Sequence, residues 1–251
     1  MKYKLFLNFV EQFDVMARKR YLIVMAAGSG TRMGGDIPKQ FMELDGKAVL
    51  HRTIEVFLKA VPDIKIVTVL PDAHIEYWRN YCLERNFICP QILVKGGITR
   101  FHSVKNALAK VPDGALVAVH DGVRPLVSVP FLKDIFEKAE DVPALIPVLP
   151  CVDTMKVLHR KGDDLVTAEG QSVDRSVLYA AQTPQIFHSE ILKQAYEQAY
   201  DTAFTDDASV VLKNGKNLSY LSGERFNIKL TTQDDFVLAK AILSLSCASS
   251  R

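Results

Sequence analysis

The sequence predicts a doubly wound, Rossmann-like α/β domain with a mainly parallel sheet and a β-hairpin arm protruding from it. Three observations lead there. Short apolar runs alternate with amphipathic helical stretches from residue 21 to about 148, the rhythm of parallel strands covered by helices on both faces. A Gly-rich turn follows the first run, where an open α/β sheet presents its ligand site. The rhythm then stops between 148 and 182, where two strand-like segments flank a polar turn.

Taken in order, Tyr21-Leu22-Ile23-Val24-Met25-Ala26-Ala27 is apolar throughout, as a strand buried on both faces must be. Residues 48–60 place Val49, Leu50, Ile54, Phe57 and Leu58 on one helical face. A second strand spans 64–70 and is closed by Pro71-Asp72. A helix near 74–85 and a short strand at 91–94 follow, the latter ended by Gly96-Gly97. Residues 100–110 read as a helix, 115–120 as a buried strand, 130–140 as a helix and 144–148 as a strand. Right-handed crossovers make the doubly wound form the expected one. In the arm, strands at 152–158 and 173–179 are joined through Arg160-Lys161-Gly162-Asp163-Asp164. An isolated hairpin is marginal, so the arm is expected to pack on a second copy and make a homodimer. The α/β pattern resumes with helices near 189–200 and from about 206, a strand at 217–221 and a last helix at 233–245. The chain thus divides into an N-terminal extension (1–20), one α/β domain (21–147 and 182–246) and an inserted β-arm (148–181). Met16, just ahead of Arg18-Lys19-Arg20, is an alternative start.

Composition narrows the function classes. The 251 residues suffice for one sizeable α/β domain. A net charge of +2 supplies no bulk attraction for nucleic acid or an anionic membrane surface. No apolar run approaches the roughly 18 residues that cross a bilayer. The apolar N-terminus is interrupted by Glu11 and Asp14 and lacks a small-x-small cleavage site. Cys82, Cys89, Cys151 and Cys247 form no C-x-x-C pair, and no histidines stand at zinc-finger spacing. They read as reduced structural thiols of a cytoplasmic protein.

The chemistry concentrates at strand ends. Gly28-x-Gly30-x-x-x-Gly34 lets successive backbone N–H groups turn toward a phosphate. Its third glycine comes one residue too late for a dinucleotide fingerprint, and Asp72 is too far downstream to hold a ribose. Alone, the loop reads equally as a plain turn. Arg32 within it and Lys39 after it add a planar fork and a compact charge, as a triphosphate requires, although either alone is ordinarily a solvated surface cation. His120-Asp121-Gly122-Val123-Arg124-Pro125 leaves another strand end. Asp121 there is either a ribose or metal-side carboxylate or a loop cap. His120 reads as a packed residue rather than a base, and no Ser or Cys nucleophile accompanies it. Lys229 stands in a β-like run, where a lone lysine usually marks an edge. Thr205-Asp206-Asp207 reads as a helix N-cap with acids in the first turn.

Together these segments resemble one family, the 2-C-methyl-D-erythritol 4-phosphate cytidylyltransferases. The matching motifs are Ala26-Ala27-Gly28-x-Gly30-x-Arg32-Met33, Pro38-Lys39-Gln40, Gly96-Gly97-x-x-Arg100-x-x-Ser103-Val104 and His120-Asp121-x-x-Arg124-Pro125. Asp153-Thr154-Met155-Lys156, Val173-Asp174-Arg175, Gln182-Thr183-Pro184-Gln185 and Asn227-Ile228-Lys229 continue the series, which runs from about residue 21 to 243. The resemblance implies transfer of CMP from CTP to a small polyol phosphate with Mg²⁺ or another divalent cation. It implies that Ala26, Ala27, Gly28, Gly30, Gly97 and Ser103 surround the nucleotide and that Asp121 lies at its ribose and metal side. Arg32 and Lys39 would stabilise the transition state at the α-phosphate. Arg175, with Thr154, would reach the acceptor phosphate in the partner subunit's site, while Lys229 orients that phosphate with Arg124 and Thr183 nearby. Two departures stand out: Ile98 replaces a common acid after Gly97, and Gly122-Val123 replaces a common Ala-Ala.

Three other readings compete. D-ribitol 5-phosphate cytidylyltransferases share most of these motifs, but they often read Leu-Ala-Gly-Gly in the first loop and Pro-Asn-Arg in the arm. A nicotinamide-dependent oxidoreductase conflicts with the late glycine and the missing ribose acid. A non-catalytic nucleotide sensor would be expected to lose Arg32, Lys39 or Lys229, and all three are present.

Overall fold

The structure, a computed structural model, describes residues 18–28, 37–168 and 173–248. Its centre is an eight-stranded mixed sheet. Strands β1 (Lys19–Met25), β4 (Lys65–Leu70), β5 (Gln91–Lys95) and β6 (Ala115–Asp121) run parallel in the order β6-β1-β4-β5. Between β1 and β4 the short antiparallel pair β2 (Glu43–Leu44) and β3 (Lys47–Ala48) interrupts the chain. Beyond β6, strand β11 (Gln185–His188) runs antiparallel to it and carries the sheet across to β7 (Ala144–Pro150). β10 (Tyr179–Ala181) pairs antiparallel with the end of β7, and β12 (Ser219–Ser222) pairs parallel with it.

Side-chain alternation along β1 explains the layering. Leu22 and Val24 point to one face, where they meet α1 (Val49–Ala60), α2 (Ile75–Glu84) and α4 (Val129–Lys138) through Ile54, Phe57, Trp78 and Ile135. Ile23 points to the other face, toward α3 (Arg100–Leu108), α5 (Ser189–Ala195) and α6 (Asp207–Lys213) through Val104, Leu192 and Val211. A period of two with both faces apolar is what a sheet covered twice demands. Phe57 and Trp78 are completely buried, each contributing roughly 2–3 kcal/mol of hydrophobic stabilisation. The last helix, α7 (Gln233–Ala248), packs Phe236 and Ala239 against Leu44, Val49 and Leu230.

The helix starts follow local chemistry. Thr99 caps α3 and Ser128 caps α4, each accepting a backbone N–H from the first turn. Asp206 caps α6 in a reciprocal capping box with Ser209, as the Thr205-Asp206-Asp207 reading expected.

Two expectations are corrected. The hairpin strands do not span 152–158 and 173–179: they are β8 (Leu158–Lys161) and β9 (Asp164–Thr167), joined by Gly162-Asp163. Gly162 has φ +63°, and this left-handed turn suits the two-residue connection of a twisted pair. Residues 152–157 form no strand, and Arg175–Val177 is a single 3-10 turn. The β11 strand was not foreseen, because four residues holding a polar Gln and a His carry too little periodicity to be told from a loop. No helix among the described residues is long and apolar enough to cross a membrane.

Candidate active site

The loops leaving β1, β5 and β6 surround a cavity of about 530 Å³. It lies at the carboxyl ends of the parallel strands, where α/β sheets bind ligands. Backbone hydrogen bonds lash these loops together: Ala26 N donates to Val69 O (3.0 Å), Gly96 N to Leu70 O (2.8 Å) and Gly122 N to Met25 O (2.9 Å).

One end of the cavity is built from backbone and small residues. Ala26, Ala27 and Gly28 face Gly97 and Ser103. Both glycines of the Gly96-Gly97 pair are required by close approach. A Cβ on Gly96 would lie 2.6 Å from the Ala27 Cβ, and one on Gly97 would lie 2.5 Å from the His102 Cβ. The Ser103 hydroxyl accepts from Gly97 N (3.0 Å) and donates to Thr99 O (2.9 Å), which fixes the turn onto α3. Gln40, almost fully buried, donates its carboxamide to Ala26 O (2.8 Å) and Gly28 O (3.3 Å). It thereby holds the start of the Gly-rich loop in place. Ile98, where an acid was expected, stands 91% exposed at the rim. Gly122 is also explained locally, since a Cβ there would meet Ala26 Cβ and Met25 O at 3.1 Å.

The other end is charged. Asp121 closes β6 and faces the cavity with Lys39 and Lys229. Its Oδ2 lies 3.1 Å from Lys229 Nζ and 3.1 Å from Arg124 Nε. Burial alone would push the Asp121 carboxyl up, but Lys229, Arg100 and Arg124 together hold it well below the usual carboxylate range. Asp121 is therefore a fixed anion in a field of fixed cations.

A buried polar layer supports that anion. The Asp121 N–H donates to Thr183 Oγ1 (3.1 Å), and that hydroxyl lies 3.1 Å from His120 Nδ1. His120 Nε2 is 3.1 Å from Arg124 O, a pure acceptor, so Nε2 carries the proton and Nδ1 accepts from Thr183. Burial pushes the His120 imidazole down to about 4, so it is neutral at physiological pH and serves as a strut. Arg124 Nη1 donates to Asn227 O (2.8 Å), and Asn227 Nδ2 donates to Thr183 O (2.8 Å). Gln182 joins the same loop through Glu224 O (2.9 Å). Asn227 and Gln182 thus place Lys229 against Asp121.

The structure brings Ala26, Ala27, Gly28, Lys39, Gly97, Ser103, Asp121 and Lys229 onto one cavity. Arg124 and Thr183 stand directly behind its charged end. Thr154 and Arg175 do not join it: both are exposed, and Arg175 Nη1 donates to Val152 O (2.7 Å) within the arm. Gly30 and Arg32 lie outside the described residues. Gln40 and Arg100 also line the cavity. The sequence motifs contain both, yet neither was given a role. Arg100 directly follows the Thr99 cap, a position that aims a side chain at the same strand ends.

No cluster of three or more metal-ligating side chains exists among the described residues. Among the described residues, Asp121 is the one carboxylate lining the cavity. That donor set does not fit a cation held by protein alone. It does fit a hydrated Mg²⁺, which is characteristically held by one or two carboxylates together with substrate phosphates.

Comparison with known proteins fits this geometry. A family model described as 2-C-methyl-D-erythritol 4-phosphate cytidylyltransferase matches residues 21–245. A protein of that name from Phocaeicola vulgatus is 44% identical over 224 residues, covering 89% of this chain and 99% of the relative. One from Porphyromonas gingivalis is 44% identical over 230 residues, covering 91% and 100%. Among solved structures, 4-diphosphocytidyl-2C-methyl-D-erythritol synthase from Anaerococcus prevotii superposes with a TM-score of 0.75 at 25% identity, covering 91% of this chain and 97% of that one. The Francisella tularensis 2-C-methyl-D-erythritol 4-phosphate cytidylyltransferase does so with 0.71 at 30% identity, covering 88% and 98%.

Proposed function

The chain belongs to the 2-C-methyl-D-erythritol 4-phosphate cytidylyltransferase family, and from that premise we propose that it moves the cytidylyl group of CTP onto 2-C-methyl-D-erythritol 4-phosphate. Pyrophosphate is the second product, and the reaction serves isoprenoid precursor synthesis. The observation that carries this reading is a single cavity with two unlike ends. Backbone and small side chains at Ala26, Gly28, Gly97 and Ser103 suit a flat base, and Lys39, Lys229 and Asp121 suit a triphosphate.

The chemistry follows from charge. An oxygen of the acceptor's phosphate attacks the α-phosphorus of CTP, a new P–O bond forms, and the bond from the α-phosphorus to the bridging oxygen of the leaving pyrophosphate breaks. Both reactants are anions, so their repulsion must be offset before they meet. Lys39 and Lys229 supply fixed positive charge at the cavity, and Arg32 supplies more from the Gly-rich loop by the family pattern. Asp121 keeps Lys229 in place and is the carboxylate that would help to hold Mg²⁺ with the phosphates. Such an ion, when bound, neutralises triphosphate charge. No protein nucleophile takes part.

The arm supports a homodimer in which each copy serves its partner. Val152, Leu165, Val177 and Tyr179 are each at least 57% exposed there, apolar area of the kind that an interaction surface uses. In this reading Thr154 and Arg175 complete the acceptor-phosphate site of the partner subunit. The enzyme works in the cytoplasm, without nucleic acid or membrane.

The test is pyrophosphate release from CTP and Mg²⁺ with either 2-C-methyl-D-erythritol 4-phosphate or D-ribitol 5-phosphate. Turnover with the first alone is expected. Turnover only with the second would keep the cytidylyl transfer and overturn the acceptor.

A further inference from the structure

Arg100 opens α3 directly behind its Thr99 cap. A cation is unfavourable there, because the helix N-terminus carries partial positive charge. Its side chain is 32% exposed and lines the cavity. Among the described residues its single side-chain hydrogen bond runs from Nη2 to Asp207 Oδ2 (2.5 Å). A guanidinium has five N–H donors, so most of this one remains available to a ligand.

Asp207 takes no part in the cavity lining. Its side chain is completely buried at the start of α6, and its Oδ1 accepts the Tyr196 hydroxyl (2.6 Å). Tyr196 is itself 2% exposed and stacks on Phe101 with ring centroids 4.7 Å apart. Gln185, from central strand β11, ties down the same helix start. Its Nε2 donates to Asp206 Oδ2 (2.7 Å) and its Oε1 accepts from Ala208 N (2.9 Å). The Asp207 carboxylate therefore stands on a rigid support. A buried ion pair adds little stability over apolar residues of the same volume, so this one calls for another explanation.

The cavity supplies it. Asp121, the lining carboxylate, lies near enough for the Arg100 charge to act on it. Two carboxylates thus act on one guanidinium, and it contacts Asp207. We propose that Asp207, supported by Tyr196, is a positioning residue for nucleotide binding: it holds Arg100 off Asp121. The remaining N–H groups of Arg100 then face the oxygen-rich ligand, and Asp121 stays with Lys229 and Arg124. This inference rests on the cavity being the CTP site.

Equilibrium binding of CTP by calorimetry tests it on the full-length protein, with kcat measured alongside. Arg100→Ala and Asp207→Asn are each expected to weaken CTP binding about 10–100-fold, the scale of a lost charge-assisted contact. At saturating CTP, kcat should change far less. The double variant should bind no more weakly than Arg100→Ala, because Asp207 acts through Arg100. Unchanged affinity in either single variant, or losses that add in the double variant, would overturn the proposal. If Asp207→Asn loses its cooperative melt, Tyr196→Phe decides instead: it should weaken CTP in the wild-type background and not in Arg100→Ala, and any other pattern refutes the role. Wild-type protein that binds no CTP would sink the functional reading itself, whereas wild-type binding matched by Asp207→Asn sinks only the positioning role.

Discussion

The charged end of the cavity and the arm hold their polar residues in opposite ways. Asp121, Thr183 and Asn227 are at most 8% exposed and are linked to one another and to β6 by direct hydrogen bonds or through Arg124. Val177 and Leu165 of the arm are 70% and 63% exposed, and Arg175 rests on one carbonyl of its own segment. The first region is preorganised by the core, so its charges need no rearrangement when the reactants arrive. The second is held by its own short hairpin and by pairing along β7, yet Thr154 and Arg175 stay exposed on it; in the proposed dimer they gain their working geometry against the partner. In the proposed reading, charge neutralisation falls to the rigid half and acceptor recognition to the half completed by assembly.

Removing a charge from the rigid half should have the largest effect. Lys39→Ala should cut turnover by about 10²–10³, or 3–4 kcal/mol of barrier, by analogy with a lost oxyanion donor. Its thermal midpoint should match wild type. Near-normal turnover would show that Lys39 is a surface lysine and that the charge lies elsewhere.

The rigid half should also reveal itself through pH. His120 titrates near 6.5 when unfolded and is pushed down to about 4 in the fold. The unfolded chain therefore binds the proton first as pH falls. The stability that His120 contributes is complete above pH 6.5 and is lost between 6.5 and 4, amounting to about 3 kcal/mol. Urea unfolding of wild type and His120→Gln should show a stability difference that shrinks by that amount from pH 7 to pH 4. A difference that stays flat across the range would mean that the buried imidazole is not the group that makes the site acid-sensitive.

Legibility in the sequence divides along the same line. The parallel strands and the two-sided core were readable because Leu22, Ile23 and Val24 repeat the apolar signal on both faces, and such runs have few other uses. Lys39 was readable as a candidate because it closes the Gly-rich loop, and Asp121 and Lys229 because they end or interrupt a strand pattern, although only the fold could bring residues 39, 121 and 229 onto one cavity. The arm was misplaced. Residues 152–158 alternate like a strand, yet pairing was decided by Gly162, whose positive φ closes a two-residue turn between β8 and β9 instead. The Arg100–Asp207 pair spans 107 positions, joins the first turns of two helices, and has no local pattern at all.

The arm carries the smallest expected effect and the most discriminating test. Arg175→Ala should raise the acceptor KM about 10–100-fold, near 1.4–2.7 kcal/mol, and leave the KM for CTP unchanged. That result alone would not show which copy's site Arg175 serves. Mixing does. In a heterodimer of Lys39→Ala with Arg175→Ala subunits, an arm acting on its partner puts both defects into one site and leaves the other intact. At acceptor concentrations near the wild-type KM, the mixture should then regain activity well above either homodimer, up to about half the wild-type rate per heterodimer, because one of two independent sites is whole. An arm acting on its own chain leaves every site with one defect, and mixing restores nothing. Recovery would assign acceptor recognition to the assembly, whereas its absence would return Arg175 to its own subunit and remove the contrast between the two regions.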